Sequence, residues 1–291
     1  MIDQGLAIPA FIRCGGGNRH ERRCEVDTQS WWAQDVDIRQ PSSARVYDVH
    51  LGGSHNFQVD RDLAEQAAAM MPTLPAVLRA NRSFLRRAVQ HLAELGVRQF
   101  LDLGSGIPTV GNVHEIAQRV DPRCRIVYVD RDLVAVEHSR AILRGNDGAV
   151  AIRADFRDVD DVLGDEQVRS VLDFDQPVAV LFFAVLHFVP DSDDPAGIVA
   201  RYAEALSSGS YVAISHAGSD GAESRAQASS LYSDRIGGFF LRSHAAVSAM
   251  FGDLELIEPG VVDLLEWRPD PGEKRAGELL VTGPGGVGRK P

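Results

Sequence analysis

The sequence predicts a doubly wound α/β fold: a mostly parallel sheet covered by helices on both faces, with an N-terminal helical extension. Three patterns in the 291 residues carry that expectation. Between residues 98 and 215, short apolar runs alternate with segments of helical period, as buried strands joined by crossover helices require. The first run, Phe100-Leu101-Asp102-Leu103, ends in a glycine turn, Gly104-Ser105-Gly106, from which a helix leaves through Val113, Ile116 and Val120. Upstream of it, about fifty residues hold helix signals only.

Residues 1–40 mix Gly15-Gly16-Gly17, scattered charges and Trp31-Trp32 without a sustained period, and read as a poorly ordered arm. From Pro41 the character changes. Ser42 or Ser43 can cap a helix through Ala44, Tyr47 and Leu51 that Gly52-Gly53 ends. Asp60 can cap a second, from Arg61 to about Met71, which Pro72 and Pro75 break. A third, Ala76 to Leu95, places Leu78, Leu85, Val89, Leu92 and Leu95 on one face, as packing on a sheet requires, and stops at Gly96. This preamble, residues 41–96, leads into a main domain at 97–283.

After the glycine turn, Arg125–Asp130 reads as a strand, then a helix through Leu133, Val136 and Ile142, a strand over Ala149–Ala154 and a helix over Val159–Leu172. Pro177–Phe183 is the most continuously apolar strand. A helix over Ala196–Leu206 and a strand over Ser210–Ser215 follow, then helical pieces between Ala222 and Phe251. Leu254–Leu265 and Glu278–Thr282 are strand-like and separated by a Pro/Gly turn, which predicts an antiparallel pair closing the sheet. The end, residues 284–291, is expected to fray.

Composition bounds the function. The chain is 44% hydrophobic and 24% charged, enough for one large packed domain with additions. Its net charge of −11 argues against a nucleic-acid duplex or an anionic membrane as partner, since both demand a basic face. Cys14, Cys24 and Cys124 form no C-x-x-C pair, which argues against a disulfide framework or cysteine zinc site. No apolar run reaches the ~18 residues that cross a bilayer, and no secretory signal opens the chain, so a soluble cytoplasmic protein is expected.

In an open α/β sheet, ligands bind beyond the carboxyl ends of the strands. There the sequence places Asp102 with Gly104 and Gly106, then Asp130, then Asp155-Phe156, then Phe183 to Phe188. Thr109 stands where a dinucleotide fingerprint needs its third glycine, which disfavours an NAD-dependent oxidoreductase, and the ATP-binding G-x-x-x-x-G-K-[ST] pattern is absent. Recurrent acids and no cation in the turn suit a positively charged ligand with a ribose and an adenine, which describes S-adenosylmethionine (SAM).

The segments LDLGSGIP, VYVDRD, ADFRD and FFAVLHFVPD resemble the successive motifs of class I SAM-dependent methyltransferases. More narrowly, PSSARVYDVHLGGSHNFQVDRDLAEQ, ANRSFLRRAV and GNVHEIAQ resemble an actinobacterial S-adenosyl methyltransferase-like family once catalogued as a domain of unknown function. The match runs from about Pro41 to Gly283. It implies a Rossmann-like, seven-stranded sheet with the seventh strand inserted antiparallel, and SAM as cofactor. Carried onto this chain, the resemblance has Gly104, Ser105 and Gly106 pass beneath the methionine portion, with Asp102 near its ammonium and Arg82 on its carboxylate. Asp130 would take the ribose hydroxyls, Arg131 would flank the adenine, and Asp155 and Phe156 would meet its amino group and ring. Phe183 and Ala184 to His187 would line the pocket near the sulfonium.

The reaction so implied is methyl transfer to an unidentified small-molecule acceptor; the alternative is a SAM-binding protein that acts without catalysis, as a regulator or partner. A general base is needed only where the acceptor keeps its proton at neutral pH. His187 is the best-placed candidate and His216 the next. His187 with Asp191 lacks a third ligand, and no metal is expected. Polar and aromatic residues clustered between two helix breaks, Tyr47, His55, Asn56 and Phe57, suggest a lid over SAM or acceptor. The sequence carries no signal of oligomeric state.

Overall fold

The computed structural model of the protein describes residues 36–108, 111–219, 223–270 and 282–291. The expected arm up to residue 35, and the expected strand Glu278–Thr282 apart from Thr282, lie outside them. Three helices open the structure: α1 (Ser43–His50), α2 (Gln58–Met70) and α3 (Leu74–Glu94). α2 starts earlier than expected because Asp60 sits in its first turn rather than before it. The carboxylate accepts the N–H groups of Phe57 (2.8 Å) and Ser42 (3.0 Å) and pairs with buried Arg45 at 3.1 Å, so one acid ties the starts of α1 and α2 together. Burial pushes its pKa up, against those hydrogen bonds and the Arg45 charge.

β1 (Gln99–Leu103), α4 (Val113–Val120), β2 (Arg125–Asp130), α5 (Leu133–Ile142) and β3 (Ala149–Arg153) follow as the apolar runs predict. The single helix expected over Val159–Leu172 is two, α6 (Val159–Gly164) and α7 (Glu166–Val171). Asp165 separates them by accepting the N–H groups of Gln167 and Val168, an N-cap that restarts the helix. β4 (Ala179–Phe183), α8 (Pro195–Ala205), β5 (Tyr211–Ser215), α9 (Glu223–Ile236) and α10 (His244–Ala249) complete the alternation, and β6 (Glu255–Leu256), β7 (Val262–Asp263) and β8 (Pro284–Arg289) close the sheet.

The strand order is β3-β2-β1-β4-β5-β8-β6, with β7 also on β8. β1 to β5 are parallel and β8 runs antiparallel to β5. β6 and β7 pair with opposite ends of β8, Leu256 with Gly288 and Val262 with Gly285. They are two pieces of one edge position, so eight strands occupy the seven places expected. One apolar layer packs Phe84, Leu92, Ile116 and Trp267 on one face of the sheet; the other packs Val168, Phe182, Tyr202 and Phe251 on the opposite face. Among the described residues, no helix is long and apolar enough to cross a membrane.

The tail corrects the expectation most. Residues 284–291 do not fray: Pro284–Arg289 is an interior strand, and Val287 is fully buried. Its sequence, PGGVGR, reads as coil because glycine weakens strands in general. Here the glycines are demanded by close neighbours. A Cβ on Gly285 would sit 2.4 Å from Leu264 Cδ2, and one on Gly288 would sit 2.8 Å from Phe251 Cδ1. Lys290 Nζ then donates to the carbonyls of Ala203, Glu204 and Leu206 at 2.6–3.0 Å, which satisfies the C-terminal end of α8.

Candidate active site

The carboxyl ends of β1 to β5 open on one cavity, and the glycine turn forms its floor. The N–H groups of Gly104 and Ser105 donate to Val129 O, holding the turn against β2. Gly104 has φ +66°, and a Cβ there would lie 2.2 Å from Val185 Cγ2, so only glycine fits. Gly106 has φ +67° and nothing within 4 Å of where a Cβ would stand. The turn is therefore closed beneath and open above.

Asp130 braces it. One carboxylate oxygen accepts Gly106 N–H at 2.7 Å and the other accepts Asp132 N–H at 2.8 Å. Each oxygen keeps a second lone pair. Asp132 in turn caps α5 through Val134 N–H and receives the Ser42 hydroxyl, so the preamble is tied to the same corner. Asp102 and Asp130 are both buried. Burial pushes Asp102 up to about 7, opposed by the Arg82 charge and reinforced by Asp130; burial pushes Asp130 up to about 6, opposed by the two backbone donors. Arg82 reaches the cavity from α3 and donates to Gly111 O at 2.8 Å.

Asp155, Phe156 and Arg131 also line the cavity. Asp155 is gripped by Arg157, Nε to Oδ1 at 3.0 Å and Nη2 to Oδ2 at 2.6 Å. Burial works to raise its pKa, but the Arg157 hydrogen bonds outweigh it and hold the carboxyl below its ordinary value. The sequence reading missed Arg157, although it is two residues on. Phe156 lies edge-to-face against Phe182, and its carbonyl accepts from the Tyr202 hydroxyl at 2.8 Å.

Beyond β4, Phe183 is buried and Ala184 takes φ +53°, held there because its N–H donates to Ser215 Oγ (2.9 Å) and Ser215 O (3.1 Å). Ser215 Oγ in turn donates to Asn81 Oδ1 at 2.5 Å, Asn81 Nδ2 donates to the Tyr47 hydroxyl at 3.0 Å, and Tyr47 donates to Leu78 O at 3.4 Å. This chain places Tyr47 in the cavity wall and links α1 to the end of β4. Burial raises the Tyr47 pKa, against the Arg82 charge.

His187 sits in a 3-10 turn, Leu186–Phe188, and lines the cavity with 6% of its surface exposed. Its Nδ1 is buried with no hydrogen-bond partner among the described residues. Burial, with His216 and Arg242 beside it, holds its pKa well below 6.5, so the ring is neutral near pH 7. His216 cannot serve in its place. Arg242 Nη1 lies 3.0 Å from His216 Nε2; the guanidinium can only donate, so Nε2 accepts and Nδ1 carries the proton to Ala217 O at 2.9 Å. Asp191 is likewise paired with Arg242, at 2.6 Å. Among the described residues no group of three His, Cys, Asp or Glu is arranged to hold a metal.

The expected lid needs correction in three of its four residues: of Tyr47, His55, Asn56 and Phe57, only Tyr47 lines the cavity. The His55 ring packs on His138 of α5, 3.8 Å between centroids. Asn56 is buried, donating to Asp48 (2.8 Å) and Gly53 O (3.0 Å) and accepting from Arg61 (2.9 Å). Phe57 packs on the Ala44, Ile107 and Val134 cluster under the Arg45 guanidinium. Their polarity serves backbone and ion pairs, making a strap that fastens the preamble to α5. Asn56→Ala is therefore expected to cost about 1–3 kcal/mol of stability while leaving SAM affinity unchanged, by denaturant unfolding and calorimetry. A loss of affinity at unchanged stability would restore the lid.

Of the other wall of the cavity, the sequence marked Phe188 but not the residues it packs with. His50 and Tyr232 meet across α1 and α9, Nε2 to hydroxyl 3.0 Å, and Phe188 and Phe239 pack beside them. His50, Tyr232 and Phe239 belong to no local motif and join Phe188 only through the fold.

The profile of a family described as S-adenosyl methyltransferase matches residues 29–291. Two solved structures align over nearly their whole length. One, a methyltransferase candidate from Thermobifida fusca YX, is 38% identical, with 90% of this chain and 99% of that one covered and a TM-score of 0.85. The other, a DUF574 family protein from Streptomyces avermitilis MA-4680, is 39% identical, with 88% and 99% covered and a TM-score of 0.83. No curated protein matches the chain. An open glycine turn, a braced acid with free lone pairs and buried acidic groups that a cation would stabilise fit the donor which that family uses. The chain belongs to the S-adenosyl methyltransferase family and is a SAM-dependent methyltransferase.

Proposed function

We propose that this enzyme methylates a small molecule, in the cytoplasm, with the donor held over the glycine turn and the acceptor beneath α1 and α9. The observation that carries this is the division of the cavity. Its charged lining residues, Arg82, Asp102, Asp130, Arg131, Asp155 and Arg157, all stand at the ends of β1 to β3 or beside them on α3, whereas the described residues of the other half are apolar, aromatic or neutral. Cys124 is a buried free thiol, which fits a reducing compartment.

SAM supplies an electrophilic methyl group on a positively charged sulfur; the protein's residues position it and exclude water. Asp130 offers its remaining lone pairs to the ribose hydroxyls while its other pairs hold the turn. Asp102 and Arg82 present opposite charges to the ammonium and carboxylate of the methionine portion. Phe156 and Arg131 flank the adenine, and Asp155, oriented by Arg157, faces its amino group. Phe183 and Ala184 border the reacting centre, and His187 accepts the proton that the acceptor loses.

The test is to incubate the enzyme with methyl-labelled SAM and a fractionated cell extract. Label is expected in the low-mass fraction; label confined to protein or nucleic acid would contradict a small-molecule acceptor.

A pH dependence follows from the two raised carboxyls. Their ionised forms are disfavoured in the free protein and favoured by a cation, so SAM affinity should rise as pH goes from 5 to 8, with protons released on binding. Because these folded-state pKa values lie above the unfolded ones, the unliganded enzyme loses their contribution to stability as pH rises from about 4 through 7. SAM should thus raise Tm more at pH 8 than at pH 5. Calorimetry in buffers of different ionisation enthalpy checks the proton release, and affinity flat across that range would contradict it.

A further inference from the structure

We infer that the methyl acceptor is an uncharged aromatic molecule that presents a hydroxyl group to His187, a conclusion that rests on the methyl-transfer reading of the same cavity. The rings around His187 define the shape. Phe239 lies 4.6 Å from the imidazole and 5.2 Å from Tyr232, Phe188 lies 4.4 Å from the imidazole, and these rings all face the cavity. A planar aromatic ring is the ligand that such walls favour.

The charges of the described residues disfavour the other common acceptors. An ammonium would need a carboxylate, and among the described residues none lines this half. Asp191, three residues beyond Phe188, has a side chain 91% exposed and paired with Arg242. A carboxylate would need a cation, and Arg242 is already committed to Asp191, to the carbonyls of Leu186 and Val189, and to His216. Among the described residues, a charge brought here would find no partner, and desolvating it costs far more than burying a neutral hydroxyl.

The neutral polar groups narrow the choice further. Tyr47, Asn81 and Ser215 are joined in one chain, His50 and Tyr232 pair with each other, and His216 is held at both ring nitrogens. Among the described residues, His187 lines the cavity and has a buried ring nitrogen, Nδ1, without a hydrogen-bond partner. A hydroxyl at the edge of an aromatic ring, set against the part of this imidazole that lines the cavity, supplies a polar partner there. In the reaction the O–H bond breaks and an O–CH3 bond forms; the carbon–sulfur bond breaks with its electrons remaining on sulfur, and the proton passes to the His187 imidazole and on to water.

The experiment measures binding of matched probes to the enzyme saturated with S-adenosylhomocysteine at pH 7.5: 2-naphthol, 2-naphthoate and 2-naphthylmethylamine. Naphthol is expected to bind at least about tenfold tighter than either charged probe. His187→Phe, which keeps a ring but removes the nitrogens, should weaken naphthol by roughly two- to tenfold and leave the charged probes unchanged, with His187→Asn falling between. Unchanged S-adenosylhomocysteine affinity in both variants shows that fold and donor site persist. Equal or tighter binding of a charged probe, no binding of naphthol, or a naphthol affinity indifferent to His187→Phe would overturn the assignment. Failure of the wild-type enzyme to bind S-adenosylhomocysteine would instead overturn the donor site.

Discussion

Removing residues 284–291 is expected to abolish the folded state. The segment looks dispensable, with its glycines and its place at the end of the chain, but β8 lies between β5 and the β6/β7 edge. Its loss would unpair the β8-facing edge of β5 from Tyr211 to Ser215 and take from β6 and β7 the strand that both pair with. It would also uncover Phe251 and Leu264, which pack against the backbone of Gly288 and Gly285. Buried interior backbone groups without partners cost about 1–3 kcal/mol each, and a domain has only about 5–15 kcal/mol to lose. The truncated chain should be insoluble or lack a cooperative thermal transition. A native-like Tm would show that β8 is peripheral.

Asp130 should give the largest loss of donor binding from a single substitution. Asp130→Ala removes both the proposed ribose acceptor and the brace on Gly106 and Asp132, so the turn loses its shape as the ligand loses its partner. With hydrogen bonds to a charged group worth about 1.5–3 kcal/mol, SAM affinity should fall by roughly 10- to 100-fold. Asp130→Asn keeps the volume but turns an amide N–H toward a backbone N–H, and should also lose affinity. Calorimetry with SAM reads both, and a Kd unchanged in either would remove Asp130 from the donor site.

The contrast between these residues explains what could be read from the sequence. β1 to β5 were legible because a strand buried on both faces writes a continuous apolar run, and the acids of β1 to β3 lie in or just after those runs. β8 was not, because its glycines answer to Leu264, Val261 and Phe251, which are distant in sequence. The donor half was legible for the same local reason: Asp102, Asp130 and Asp155 lie within, at the end of, or just after successive apolar runs. The acceptor half draws on α1, on the turn after β4 and on α9, and no spacing rule joins His50 to Tyr232 or Arg242 to His216. His55, Asn56 and Phe57 show the converse error. A polar, aromatic loop between two helices carries the signature of a ligand contact, but Asn56 completes the hydrogen bonding of Asp48 and Arg61 instead. The break between α6 and α7 turned on Asp165, whose capping bonds outcompete a helix that the apolar spacing alone would continue.

A crystal structure of the enzyme with S-adenosylhomocysteine tests most directly whether the acids and the glycine turn hold the donor. The ribose hydroxyls should lie within hydrogen-bond distance of Asp130, with the sulfur above Gly104 to Gly106 and directed toward His187. Density for the ligand elsewhere on the sheet, or with the ribose away from Asp130, would contradict it.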